Sequence, residues 1–109
     1  DDNYGLDKSF RREMDKVFPD KEWVELPPSH KIFSSYFILD KGLPKIHEHD
    51  KKRPQALGLF HDDRLIVLYT YESDLGDGWE DSSVHKNSEE KRTSALKMGT
   101  NIIVYSLNQ

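Results

Sequence analysis

The sequence predicts an α/β domain organised around one buried strand, and three observations carry that expectation. Arg64 to Tyr71 reads RLIVLYTY, dense in β-branched and aromatic residues, and is the strongest strand signal in the chain. Its middle, Leu65-Ile66-Val67-Leu68, is continuously apolar, as expected of a central strand covered on both faces of a layered sheet. Helical patterns flank it in the chain: Phe10, Met14 and Val17 stand at i, i+4 and i+7, and a second segment begins near Asn87.

The totals fit a single domain. A chain of 109 residues hides roughly two thirds of its unfolded surface on folding, enough for a real core. The formal net charge is -4, with acids and bases interspersed, and the longest basic run is Lys51-Lys52-Arg53. That argues against a nucleic-acid partner or an anionic membrane surface, both of which need a basic patch. No cysteine is present, which excludes a thiol nucleophile, a thiolate metal site and a disulfide frame, and leaves the redox compartment open. No apolar run approaches the ~20 residues that span a bilayer. The chain begins at Asp1 rather than Met, so a processed form or a piece of a longer protein is expected.

The first helix follows Leu6, with Asp7 or Ser9 as its cap, and Phe18-Pro19 ends it. Trp23 to Pro28 reads as an extended connector, because two consecutive prolines rule out a central strand. Ser29 is placed to cap one helical turn through Phe33, and Tyr36 to Leu39 is a short strand or extended segment. Lys45 to Pro54, KIHEHDKKRP, is charged and without a period, and reads as an exposed loop. Ala56 to Phe60 is a short apolar strand, and His61-Asp62-Asp63 is a turn before the main strand. Asn87 followed by Glu90 has capping-box spacing. The last segment is ambiguous: Asn101 to Tyr105 has strand propensity, while Ala95, Met98, Ile102 and Tyr105 keep helical spacing. Leu65, Val67, Phe10, Met14, Trp79 and Ile103 are the expected core.

Four segments, DDNYGLDKSFRREMDKVFPD, LPPSHKIF, DDRLIVLYTYESDLGDGW and ALKMGTNIIVYSL, resemble in order those of a bacterial family, the domain of unknown function DUF4159. The loop DLGDGW and the ending MGTNIIVYSL carry most of that resemblance. The family is similar to trehalose-utilisation and class I glutamine-amidotransferase-like domains, which implies a flavodoxin-like three-layer sandwich with a mostly parallel sheet. It also implies a strand before Asp1-Asp2, so residues 1–109 are expected to be the C-terminal part of a larger domain that lacks its N-terminal strands. The missing part of that domain, or a neighbouring domain, is then the expected partner. The amidotransferase relatives use a cysteine nucleophile that this chain does not have, so no reaction is carried over. The resemblance extends the last helix to about Ser106.

Two groups of residues carry candidate chemistry. Glu72, Asp74 and Asp77 follow the main strand, and Asp1 and Asp2 would follow a neighbouring one. In an open parallel sheet both loops meet at one edge, where ligands bind. Such carboxylates suit Ca²⁺ or Mg²⁺, or a polyol with Tyr4 or Trp79 as an apolar platform. Aspartate and glycine are also what any tight loop uses, and turn formation is the plainer account of Asp74 and Asp77. In the second group, His47 and His49 on an extended segment point to one side and offer a metal pair, which His30, His61 or His85 would have to complete. A solvated loop is the plainer account here too. No serine lies in G-x-S-x-G, and no phosphate-binding glycine motif is present. The expected function is a non-catalytic ligand-binding or interaction domain with its site in the acidic loop. The alternatives are a metal-assisted hydrolase using Asp74, Asp77 and His30 or His61, and a scaffold that packs on a neighbour.

Overall fold

A turn of two residues decides the topology. Asp62 and Asp63 both take left-handed backbone angles, with φ of 49° and 63°. That is the geometry of a type I′ hairpin turn, which matches the twist of two antiparallel strands. It joins β2 (Gln55–His61) to β3 (Arg64–Tyr71), paired antiparallel from His61↔Arg64 to Gln55↔Tyr71. A short strand β1 (Val24–Glu25) adds antiparallel to the other side of β2, giving the order β1-β2-β3. The computed structural model describes residues 5–47, 52–80 and 88–109.

The expectation of a mostly parallel three-layer sandwich is therefore corrected: the chain is a small α/β domain whose described residues form a three-stranded antiparallel sheet and two long helices. A parallel pair needs a crossover of a dozen or more residues, and a two-residue link cannot supply one. The central strand is also not the one expected. β2 lies in the middle, with Ala56, Leu57 and Leu59 all buried, whereas β3 is an edge among the described residues. The register skips Ile66 between Leu59↔Val67 and Phe60↔Leu65, a bulge that leaves Ile66 43 % exposed.

Helix α1 (Leu6–Val17) starts at Gly5 with no side-chain cap, so neither Asp7 nor Ser9 serves as one. Asp7 instead accepts hydrogen bonds from Arg11 Nε and Tyr69 Oη, both 2.8 Å. Burial pushes its carboxyl up, but those two bonds and the Arg11 charge outweigh burial and hold it below its usual range. The helix stops at Phe18, as the following proline requires. Phe10 lies 4.6 Å from the Tyr69 ring and 6.0 Å from Trp23, so an aromatic cluster ties α1 to β3. Trp23 to Pro27 is extended as expected and contributes β1, an edge among the described residues, while Pro28 enters a turn in which the His30 amide donates to the Pro27 carbonyl.

The main core lies against the opposite sheet face, with Leu26, Ile32, Phe33, Leu43, Ile46, Ala56, Leu65, Leu75, Ala95 and Met98 in one cluster. Helix α2 (Glu89–Asn108) supplies Ala95 and Met98. Its helical spacing prevails over the strand propensity of Asn101 to Tyr105, because Ala95, Met98 and Asn101 then fall on one buried face. Ser88 caps it, accepting from the Lys91 amide, one residue after the expected Asn87, which lies outside the described residues. Leu65 is buried as expected, and Phe10, Met14 and Val67 are half-buried. Trp79 and Ile103 were expected in the core but are 45 % and 61 % exposed, on the outer side of α2.

Tyr36 to Leu39 forms no strand. The Asn101 side chain, fully buried, accepts from the Tyr36 and Phe37 amides and donates to the Phe37 carbonyl, all between 2.8 and 3.1 Å. The short 3₁₀ turn Lys31–Phe33 is capped by the His30 ring, whose Nδ1 accepts from the Ile32 amide, and not by Ser29. Burial holds the His30 imidazole below its ordinary value. The unfolded chain therefore binds this proton more readily, and protonation also removes the cap. Stability is expected to fall as pH drops through the ordinary histidine range of about 6.5 and below. His30→Asn, which can cap but does not titrate, should flatten that fall in chemical denaturation measured from pH 7.5 to 5. An equal fall in both proteins would remove His30 as the cause.

Candidate functional site

The loop after β3 is built by its backbone before its side chains act. Glu72 and Asp74 both sit in the left-handed region, at φ of 59° and 53°, a conformation aspartate tolerates and glutamate adopts only under constraint. The constraint comes from the segment 43–47, which runs alongside. Ser73 is fully buried, its hydroxyl donates to the Pro44 carbonyl at 2.5 Å, and its carbonyl accepts from the Ile46 amide at 2.8 Å. Ile46 is buried in the core, so the expectation of an exposed loop from Lys45 onward is corrected for Lys45 to His47. A lone isoleucine in a charged run was the available signal that this stretch is held down.

The turn Leu75–Trp79 then packs on α2. A Cβ added at Gly78 would stand 2.5 Å from Ala95 Cβ, and the Trp79 indole nitrogen donates to the Ala95 carbonyl at 2.7 Å. Neither helix nor turn has a flexible group there to yield. Gly78→Ala is expected to cost about 1–3 kcal/mol as an overpacked contact, readable in urea denaturation. A neutral result would mean that the turn moves freely on α2.

Docked in this way, the loop and the segment 43–47 bring three ligating groups together. His47 Nδ1 stands 3.3 Å from Asp77 Oδ2 and 3.6 Å from Asp74 Oδ2. The three ligand atoms lie within 4.8 Å of one another, and each side chain is partly accessible. Beside them, Lys45 Nζ lies 3.6 Å from Glu72 Oε2, with both side chains buried. Glu72 Oε1 has no hydrogen-bond partner among the described residues. Next to Asp74 and Asp77 opens a cleft of about 380 Å³, walled also by Leu68, Tyr69, Thr70, Leu75 and Gly76. Burial, then the hydrogen bond to Asp7 and its charge, raises the Tyr69 phenol well above its ordinary value, so it stays protonated.

Of the residues singled out from the sequence, Asp74, Asp77 and His47 converge. Glu72 points into the buried pair with Lys45, and Trp79 turns to α2 and does not wall the cleft. Asp1, Asp2, Tyr4, His49 and His85 lie outside the described residues. His30 and His61 lie elsewhere: His30 packs on Tyr105, and His61 sits at the hairpin turn beside Lys21 and Asp62. Sequence reasoning missed Lys45, Ser73 and the cleft walls Tyr69 and Thr70. No local pattern marks them, because they meet the loop only through tertiary packing. Among the described residues no helix is long and apolar enough to cross a membrane.

One family model, described as a domain of unknown function (DUF4159), matches residues 1–107. No curated protein matches the chain.

Proposed function

The chain belongs to the DUF4159 family, and for this member we propose a non-catalytic binding domain whose site, at His47, Asp74 and Asp77, takes one divalent cation. The observation that carries this is the placing of one imidazole nitrogen 3.3 and 3.6 Å from two carboxylates of a separate loop. Two ligands each about 2.1 Å from a shared ion stand at most about 4.2 Å apart, so the two histidine distances suit coordination. An imidazole in the set favours a first-row ion such as Zn²⁺ or Mn²⁺ over Ca²⁺ or Mg²⁺, which prefer oxygen alone.

Titration calorimetry with Zn²⁺, Mn²⁺, Ca²⁺ and Mg²⁺ tests this. One first-row ion is expected to bind, and His47→Ala or Asp77→Asn should weaken it at least tenfold, while Asp20→Asn leaves it unchanged. At ~100 times Kd the ion should stabilise the fold by about 2.7 kcal/mol. Binding that ignores both site variants would overturn the proposal.

A metal-assisted hydrolase is the second reading, and the open cleft beside the cluster is what favours it. Three protein ligands leave positions for water, and the cleft leaves room for a substrate. Turnover of a chromogenic ester or phosphate by the Zn²⁺- or Mn²⁺-loaded chain, lost in Asp77→Asn, would select it.

A further inference from the structure

One carboxylate beside the cluster is held at a cost that packing alone does not explain. The Glu72 side chain is 6 % exposed, and its backbone takes a left-handed φ of 59°. Its Oε2 lies 3.6 Å from Lys45 Nζ, which also donates to the Lys52 carbonyl at 2.6 Å. Its Oε1 accepts no hydrogen bond among the described residues. A buried carboxylate oxygen without a donor is costly, and in folded proteins such an atom commonly meets a water or an ion.

The register places that oxygen next to the cluster. Lys45 meets Glu72, and two residues further along both segments His47 meets Asp74. Between these pairs the Ile46 amide donates to the Ser73 carbonyl, and both of those residues are buried. The two charged pairs are thus successive steps of one row, roughly 7 Å apart where the chain is extended. Glu72 is not one of the three groups whose ligand atoms converge within 4.8 Å. A single water spans the step instead, about 2.1 Å from the ion and about 2.7 Å from an accepting oxygen.

We propose that Glu72 is a positioning residue of the cation site: its Oε1 accepts a hydrogen bond from a water on the ion held by His47, Asp74 and Asp77. This rests on the cation reading, under which three protein ligands leave a first-row ion at least one position for water. The water gives the buried oxygen its donor, and the oxygen fixes the water on the ion. Outer partners of this kind commonly change metal affinity by about 10–100-fold.

Two variants test it, by calorimetry with Zn²⁺ and by azide titration of the Co²⁺-loaded chain. Glu72→Gln keeps the shape, but its oxygen must face Lys45, so an N–H stands where Oε1 stood. Zn²⁺ is expected to bind about tenfold or more weakly than in the wild type. Azide, which accepts where water must donate, is expected to bind about tenfold more tightly. Glu72→Asp keeps the charge and suits the left-handed backbone, but draws the acceptor back by one methylene. It is expected to lose Zn²⁺ affinity without gaining azide affinity, which separates the hydrogen bond from the charge. Urea denaturation checks that each variant is folded, and if Glu72→Gln is not, Glu72→Asp decides. Wild-type Zn²⁺ affinity in Glu72→Asp, or azide affinity in Glu72→Gln equal to wild type, overturns the proposal. Absence of Zn²⁺ binding to the wild-type chain overturns the cation reading itself, a result distinct from binding that ignores Glu72.

Discussion

Truncation of Phe33 to alanine is expected to destabilise the fold by about 3–5 kcal/mol, the range for a fully buried aromatic. Phe33 is 2 % exposed and belongs to the cluster that includes Leu43, Ile46 and Met98. It reaches that position because His30 caps the one 3₁₀ turn that carries it. The collapse of such a site decides where in the range the loss falls. Here the surroundings come from α2, from β2 and from two irregular segments, so no single element can shift to fill the void. A domain of this size commonly has a total stability of about 5–15 kcal/mol, so the variant should sit near the edge of folding. Urea denaturation followed by circular dichroism measures it. A loss of about 1 kcal/mol or less would show that the segment 30–39 repacks readily and that the core is less unified than the burial implies.

Asn101→Ala is expected to cost about 2–4 kcal/mol, because three buried or half-buried backbone groups lose their partner at once. The side chain satisfies the amides of Tyr36 and Phe37 and the carbonyl of Phe37, and no strand or helix is present there to replace it. Asn101→Leu keeps volume and helix propensity, so it separates the lost hydrogen bonds from the lost packing. If the bonds dominate, both variants should lose similar stability. Amide exchange adds a local readout: the Phe37 amide should lose protection in both variants while the β2–β3 ladder keeps it. Full recovery of stability in Asn101→Leu would assign the role to packing alone.

Both residues were legible only in part. Phe33 is an aromatic in an unpatterned stretch, and nothing around it distinguishes a core residue from a surface one. Asn101 opens a run, NIIVY, whose β-branched residues suggest a strand, and the spacing from Ala95 and Met98 is what speaks for a helix. The site shows the same division. The acidic loop after β3 is legible as a turn rich in carboxylates, and His47 as a potential ligand, but the sequence gives each other companions. Adjacency on one short segment pairs His47 with His49, and a parallel sheet would pair the loop with Asp1 and Asp2.

What the sequence alone determined is local. The type of β3, the turn at Asp62-Asp63, the stop of α1 at Phe18-Pro19 and the presence of ligating side chains in DLGDGW all follow from short-range sterics and from residue chemistry. The tertiary structure decided the rest. The pairing of β1 with the far side of β2 makes β2 rather than β3 the middle strand among the described residues, in an antiparallel rather than a parallel sheet. The burial of Ile46 and Ser73 brings His47 to Asp74 and Asp77 across a gap of nearly thirty residues, a proximity that no period or propensity encodes. Contacts of that kind arise from how a few apolar side chains share one core, and a linear pattern records the side chains without recording their neighbours.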